Sequence, residues 1–273
     1  MKTIHVGPLT LDGSHLFLIA GPCVIEGYDR TLMIGREIKK ICDRLGIQYI
    51  FKASYDKANR SSFHSFRGPG IEKGLEILQS IKKELQVPVL SDVHDVTQLE
   101  AASQVLDMMQ IPAFLCRQTD LVYGAARTGC PVNVKKGQFM APEDMKNVIE
   151  KMEEAGNPNL AVTERGASFG YHNLVVDMRS FPIMRSFGYP VIFDATHSVQ
   201  LPGGMGTSTG GQREFIPYLA RAAAGAGVDG FFMEVHDNPP EALSDSTNML
   251  YLSSLEGLLR QILAIRRAVQ QSI

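Results

Sequence analysis

Eight times along the chain a short apolar run gives way to a longer amphipathic segment, and this alternation restricts the fold more than any other feature. Runs at 15–20, 49–53, 87–90, 106–111, 132–134, 160–163, 191–193 and 230–235 read as strands. Apolar residues then recur at helical spacing, as in Ile34, Ile38, Ile41 and Leu45, or Ile71, Leu75, Leu78, Ile81 and Leu85. Met145, Val148, Ile149 and Met152 mark another helix, and shorter ones are expected at 97–105, 121–128, 178–187 and 212–225. The last helix carries an S-x-x-E capping box, Ser253 to Glu256, and an apolar face of Leu255, Leu258, Leu259, Ile262 and Val269.

The strand runs lack clean alternation, as in a parallel sheet covered by helices. Eight β-then-α units predict an α/β protein of the closed (β/α)8 TIM-barrel class, with a doubly wound open sheet as the alternative. Residues 1–14 read as a small β-hairpin plugging the barrel bottom. With no linker or low-complexity stretch, the 273 residues are expected to form a single domain.

Every strand runs into a polar side chain at its C-terminal end, the end where such barrels build active sites. These are Cys23, Lys52, Asp92-Val93-His94, Gln110, Lys135-Lys136, Glu164-Arg165, Asp194-Ala195-Thr196-His197 and Glu234-Val235-His236. The loop after the second strand is basic. Lys52, Lys57, Arg60 and Arg67 alternate with Asn59, Ser61, Ser62 and His64, and only Asp56 opposes them. Guanidinium forks and hydroxyls suit phosphate oxygens. Alone, such a loop also fits a solvated surface. Lys135 and Arg165 add cations from across the barrel, and close cations repel unless anions lie between them. A ligand with a phosphate and a carboxylate, or with two phosphates, would meet that need.

Cys23, His197 and Glu234 leave strands one, seven and eight, which adjoin in a closed barrel, and Asp245 follows in the next loop. A thiolate, an imidazole and two carboxylates suit Zn2+, Fe2+ or Mn2+ better than Mg2+ or Ca2+. The competing reading makes Cys23 a small buried hydrophobe and the others supporting polar groups. Residues 201–211, with five glycines, and 236–248 are candidate lids over this corner.

The net charge of −2 gives no basic footprint for nucleic acid. No apolar run approaches the roughly 18 residues of a membrane helix. The start of the chain lacks a signal-peptide pattern, and the four cysteines form no C-x-x-C pair, so a reducing cytoplasm is expected.

At these same residues the chain resembles the 3-deoxy-D-manno-octulosonate 8-phosphate synthases (KDO 8-phosphate synthases). The resemblance covers essentially the whole chain. It rests on Gly21-Pro22-Cys23, Phe51-Lys52-Ala53-Ser54, Asp56-Lys57-Ala58-Asn59-Arg60-Ser61-Ser62, Arg67-Gly68-Pro69-Gly70 and Ser91-Asp92-Val93-His94. Further blocks are Gln110-Ile111-Pro112-Ala113-Phe114-Leu115, Arg117-Gln118-Thr119-Asp120, Asn133-Val134-Lys135-Lys136, Glu164-Arg165-Gly166, Phe169-Gly170-Tyr171 and the run from Phe193 to Gln200. It implies condensation of phosphoenolpyruvate with arabinose 5-phosphate and water, releasing phosphate, toward lipopolysaccharide. It also implies a homotetramer. Lys57, Lys135 and Arg165 would hold phosphoenolpyruvate, with Lys52 and Gln110 nearby. Asn59, Arg60 and Ser61 would hold the sugar phosphate, aided by Arg117 of a neighbouring subunit.

The family has a metal-independent branch with asparagine at the position of Cys23. The cysteine therefore implies the metal-dependent branch, with Cys23, His197, Glu234 and Asp245 as ligands. Asp92, His94 and a metal-bound water are candidates for moving protons. The runner-up is a heptulosonate 7-phosphate synthase using erythrose 4-phosphate, whose loop usually reads Lys-Pro-Arg-Thr where this chain has Lys57-Ala58-Asn59-Arg60. A non-catalytic phosphosugar-binding barrel is the alternative from another class.

Overall fold

The computed structural model describes residues 1–60, 62–203 and 210–271. Eight parallel strands form the barrel: β1 Phe17–Gly21, β2 Gln48–Lys52, β3 Val89–Asp92, β4 Met108–Ile111, β5 Val132–Lys135, β6 Leu160–Glu164, β7 Val191–Asp194 and β8 Gly230–His236. Each pairs with the next, and β8 pairs with both β7 and β1, so the sheet closes. The open-sheet alternative is thereby excluded.

The helices α1 Tyr28–Leu45, α2 Ile71–Leu85, α3 Leu99–Ser103, α4 Thr119–Arg127, α5 Met145–Glu154, α6 Ser180–Arg185, α7 Ile216–Gly225 and α8 Leu252–Gln270 follow the strands in turn. Their apolar stripes and the outward strand residues form one core layer. Among the described residues no helix is long and apolar enough to cross a membrane.

Side chains alternate between two environments along each strand. The inward set Phe17, Ile19, Ile50, Leu90, Met108, Ala161, Ile192 and Phe232 forms a separate core inside the barrel. Two residues further on, the inward position turns polar: Ile50 gives way to Lys52, Leu90 to Asp92, Met108 to Gln110, Ala161 to Thr163, Ile192 to Asp194 and Phe232 to Glu234. An apolar floor thus lies under a polar layer. Below the floor, strands Ile4–Val6 and Leu9–Leu11 form the expected antiparallel hairpin, with Ile4, Val6 and Leu11 packed into the inner core.

Several strands run past their expected ends. β3, β5, β6, β7 and β8 include Asp92, Lys135, Glu164, Asp194 and His236. A reading by apolar run stops where the apolar stretch gives out, whereas backbone pairing continues. The region expected as helix 97–105 splits into a 3-10 turn, Val96–Gln98, and the short α3. The expected capping box does not form. The N-cap of α8 is Tyr251, without a side-chain cap, because strand Leu250–Tyr251 pairs with Val235 and His236 and delivers the chain into the helix ahead of Ser253.

Gly21 ends β1 where it lies closest to β2. A Cβ there would sit 2.0 Å from the Lys52 carbonyl oxygen, a backbone atom that cannot yield without moving β2. Gly21→Ala is therefore expected to destabilise the protein by about 1–3 kcal/mol, read as a lowered urea midpoint. An unchanged midpoint would show that β1 and β2 are not in contact at this level.

Candidate active site

The C-terminal strand ends and their loops enclose a cavity of about 750 Å³. Lys52, Lys57, Asn59, Arg60, Asp92, His94, Gln110, Lys135, Arg165, His197, Glu234 and Asp245 line it. The structure thus gathers most of the residues singled out from the sequence. Cys23 is buried just behind the wall, with its thiol 3.0 Å from Ser244 Oγ and 3.3 Å from Asp245 Oδ2.

Not every sequence-derived position is placed at the cavity. Ser61, like Thr207 to Thr209 of the first candidate lid, lies outside the described residues. Arg117 is exposed and does not line the cavity. Arg67, from the basic loop, is turned away to form a forked pair with Asp56, with Nε donating at 2.8 Å. Arg60 lines the cavity, but its guanidinium donates to the Phe66 and Leu243 carbonyls at 2.9 and 3.2 Å.

The convergent cations do not depend on a ligand alone for neutralisation, which corrects the expectation from charge repulsion. Lys52 Nζ donates to Glu234 Oε1 at 2.9 Å and lies 3.8 Å from Asp92. Lys57 Nζ is 3.5 Å from the same Glu234 oxygen. Lys135 pairs closely with Asp194, and its ammonium lies 3.5 Å from the centre of the Phe232 ring. Burial alone would push these carboxylates up, but the adjacent lysines outweigh it and hold Asp92 and Glu234 below the ordinary carboxylate range. Asp194 behaves likewise, lowered by His197 and Lys135.

Arg165 is the exception. Its Nη2 donates to Gln200 at 2.6 Å, whereas Nη1 is buried with no hydrogen-bond partner among the described residues. Among the described residues no carboxylate is ion-paired with it. Burial pulls its pKa below the ordinary guanidinium value. A buried, half-satisfied guanidinium on a cavity wall is suited to an incoming oxyanion.

Asp92 anchors a hydrogen-bond chain across four strands. Ser54 Oγ donates to its Oδ2 at 2.6 Å and Gln110 Nε2 to its Oδ1 at 2.7 Å. Asn133 Nδ2 then donates to Gln110 Oε1 at 2.9 Å, and Thr163 Oγ1 to Asn133 Oδ1 at 2.7 Å. An ionised carboxylate only accepts, so the charge on Asp92 dictates the orientation of both amides. His94 stands beside this group. Burial lowers its pKa and keeps the ring neutral at pH 7, and its Nδ1 is buried without a partner.

At the opposite wall, Cys23, Glu234 and Asp245 bring one donor atom each within 4.8 Å of one another. His197 Nε2 lies 3.5 Å from Glu234 and 3.8 Å from Asp245. Its Nδ1 contacts Asp194 Oδ2 at 2.7 Å, which fixes the tautomer with Nε2 free to act as a ligand. Burial, then Asp245 and Glu234, push the Cys23 thiol well up. Glu234 Oε2 is buried with no hydrogen-bond partner. An orphaned carboxylate oxygen beside a thiol and a second carboxylate is the arrangement a divalent cation satisfies.

Asp194 was not singled out as a site residue, although its i, i+3 spacing from His197 was a usable signal. The role of Gln200 had no local signature. The second candidate lid is fastened rather than loose. Arg30 pairs with Asp237 and Glu241, Leu243 N–H donates to Glu26 at 2.9 Å, and Asn248 donates to the Thr196 carbonyl.

Thr163→Val removes the last donor of the Asp92 chain and leaves Asn133 Oδ1 buried and unpaired. It is expected to cost about 1–3 kcal/mol in chemical denaturation, with Thr163→Ser recovering most of the loss. Equal stabilities of the three proteins would show that the chain is not formed.

Comparison with known proteins places this geometry among relatives. Residues 5–271 match the DAHP synthetase I family. A protein of Geobacter sp. called 2-dehydro-3-deoxyphosphooctonate aldolase is 60% identical over 271 residues, covering 99% of both chains. Proteins of the same name from Cyanothece sp. and Desulfosudis oleivorans are 60% and 61% identical. The alignments cover 94% and 95% of this chain and 94% and 93% of theirs.

Proposed function

The chain belongs to the DAHP synthetase I family, and we propose that it condenses phosphoenolpyruvate with D-arabinose 5-phosphate and water. The products are 3-deoxy-D-manno-octulosonate 8-phosphate and inorganic phosphate, a step toward lipopolysaccharide. The observation that carries this reading is one cavity bringing Lys57, Asn59, Arg60, Lys135 and Arg165 together beside the Cys23 corner. The near-full-length relatives named as 2-dehydro-3-deoxyphosphooctonate aldolases favour the five-carbon sugar over erythrose 4-phosphate.

In this reading Arg165, Lys135 and Lys57 bind the phosphate and carboxylate of phosphoenolpyruvate. The unpartnered Nη1 of Arg165 takes one of its oxygens. Asn59, Arg60 and Ser61 bind the sugar phosphate. The C3 carbon of phosphoenolpyruvate attacks the aldehyde carbon, water adds at C2, and phosphate departs with C–O cleavage. Fixed cations stabilise the negative charge throughout.

Asp92, held ionised, orients Lys52 and Gln110 and accepts hydrogen bonds rather than supplying a proton. The neutral ring of His94, with a free Nδ1, can hold or pass a proton within the same cavity. The ligand set Cys23, His197, Glu234 and Asp245 fits Zn2+, Fe2+ or Mn2+, which when bound would orient the sugar aldehyde and polarise its carbonyl.

We further assign the protein to the cytoplasm as a homotetramer. The four unpaired cysteines are buried, in keeping with a reducing compartment. The exposed Arg117 and Phe114, which is 57% exposed, are available to a neighbouring subunit. A monomer in sedimentation would remove the tetramer from this account.

Phosphate release is expected with phosphoenolpyruvate and arabinose 5-phosphate, and at a much lower kcat/KM with erythrose 4-phosphate. Preference for the four-carbon sugar would overturn the substrate assignment. Chelation is expected to abolish turnover and divalent metal to restore it. Cys23→Ala should lower metal affinity by about 10-fold or more, measured as metal content after dialysis. Wild-type metal content in this variant would refute the ligand set.

A further inference from the structure

We propose that Lys136 and Glu164, which do not line the cavity, form an internal clamp that sets the position of Arg165 relative to Lys135. Their task is to position the phosphoenolpyruvate-binding cations without touching substrate, so the inference rests on the proposed function above.

Neighbouring residues on a strand face opposite sides. Lys135 and Arg165 line the cavity, while Lys136 and Glu164 lie on the other side of the barrel wall, 1% and 2% exposed. Two buried charges at that place cost desolvation energy that apolar residues would avoid. The hydrogen bonds show what they hold.

Glu164 Oε1 accepts from the backbone N–H of Arg165 at 2.8 Å and of Gly166 at 2.7 Å. This one oxygen therefore fixes the turn from which the Arg165 side chain departs. The turn needs Gly166, whose φ is +92°. Lys136 Nζ lies 3.4 Å from the same oxygen, and donates to the Gly137 and Met140 carbonyls at 3.3 and 3.2 Å. It thereby joins the exit of β5 to the exit of β6.

Backbone bonds close the same seam. Lys136 N–H donates to the Thr163 carbonyl and Ser168 N–H to the Gln138 carbonyl, both at 2.8 Å. The arrangement matters because Arg165 has little else to hold it. Among the described residues its side chain has one hydrogen-bond partner, Gln200, and Nη1 has none. Where the guanidinium sits is thus decided largely by its backbone, and small displacements of a binding group are costly to catalysis.

The test uses the metal-loaded enzyme with Lys136→Met/Glu164→Leu, Glu164→Asp and Lys136→Arg. The double variant replaces the pair with apolar side chains, so neither partner is left as an unpaired buried charge. Glu164→Asp keeps both charges but draws the carboxylate away from the two amides, and serves if the double variant fails to fold.

Three quantities are read: hydrogen exchange of the peptide containing Arg165 and Gly166, phosphoenolpyruvate affinity by calorimetry, and the KM for arabinose 5-phosphate. Both Glu164 variants are expected to exchange there about tenfold faster or more. They should bind phosphoenolpyruvate at least about tenfold more weakly, with the KM for arabinose 5-phosphate little changed. Lys136→Arg should stay close to wild type in all three. Wild-type exchange and wild-type affinity in a folded Glu164 variant would overturn the clamp. So would equal losses for both substrates, which mark a general loss of structure. If the unaltered enzyme failed to bind phosphoenolpyruvate, the proposed function would fall, while the exchange measurement would still decide whether the clamp exists.

Discussion

The charges removed from water at the top of the barrel tolerate one another only because lysines and carboxylates from different strands lie within reach of one another. Lys52 lies between Glu234 and Asp92, and Lys135 is paired with Asp194, which also holds His197. Burying any of these alone would cost several kcal/mol. Their mutual attraction, with hydrogen bonds that occupy the remaining lone pairs, keeps the layer ionised. Phe232 lies beneath it, within cation–π distance of both Lys135 and Lys52.

Two places depart from this balance, and they lie on different walls. At Arg165 a buried guanidinium lacks a carboxylate, so the local excess is positive. At Cys23, Glu234 and Asp245 three donor atoms converge, and Glu234 Oε2 has no hydrogen-bond partner among the described residues. The first suits an anionic substrate and the second a divalent cation. Groups left unsatisfied in an otherwise paired interior are the ones available for binding. The Asp92 chain serves the same end differently, using one fixed charge to orient Gln110 and Asn133.

Much of the architecture was legible because it follows from local periodicity. The eight apolar runs gave eight strands, and the hairpin at 4–11 sits where it was expected. The departures have two sources. Four apolar runs end ahead of a polar residue, so Asp92, Lys135, Glu164 and Asp194 fall outside the expected strands although the real ones contain them. The capping box at Ser253 failed because pairing of Leu250–Tyr251 with β8, a tertiary contact, chose the start of α8. In the site, residue type, with position at a strand end or in the loops that follow, identified the charged groups that line the cavity. They did not show that Arg67 would turn to Asp56, or that Arg60 would donate to the Phe66 and Leu243 carbonyls.

The sequence by itself determined the strand and helix count, the end of the barrel that carries chemistry, and the kinds of groups gathered there. These follow from side-chain type and from spacings of two and 3.6 residues, which are local properties. The tertiary structure alone decided which charges neutralise which, that Arg165 Nη1 and Glu234 Oε2 are left unpartnered, and that Lys136 and Glu164 meet behind the wall. Those outcomes depend on angstrom-scale distances between residues far apart in the chain, and such distances exist only once the barrel has closed.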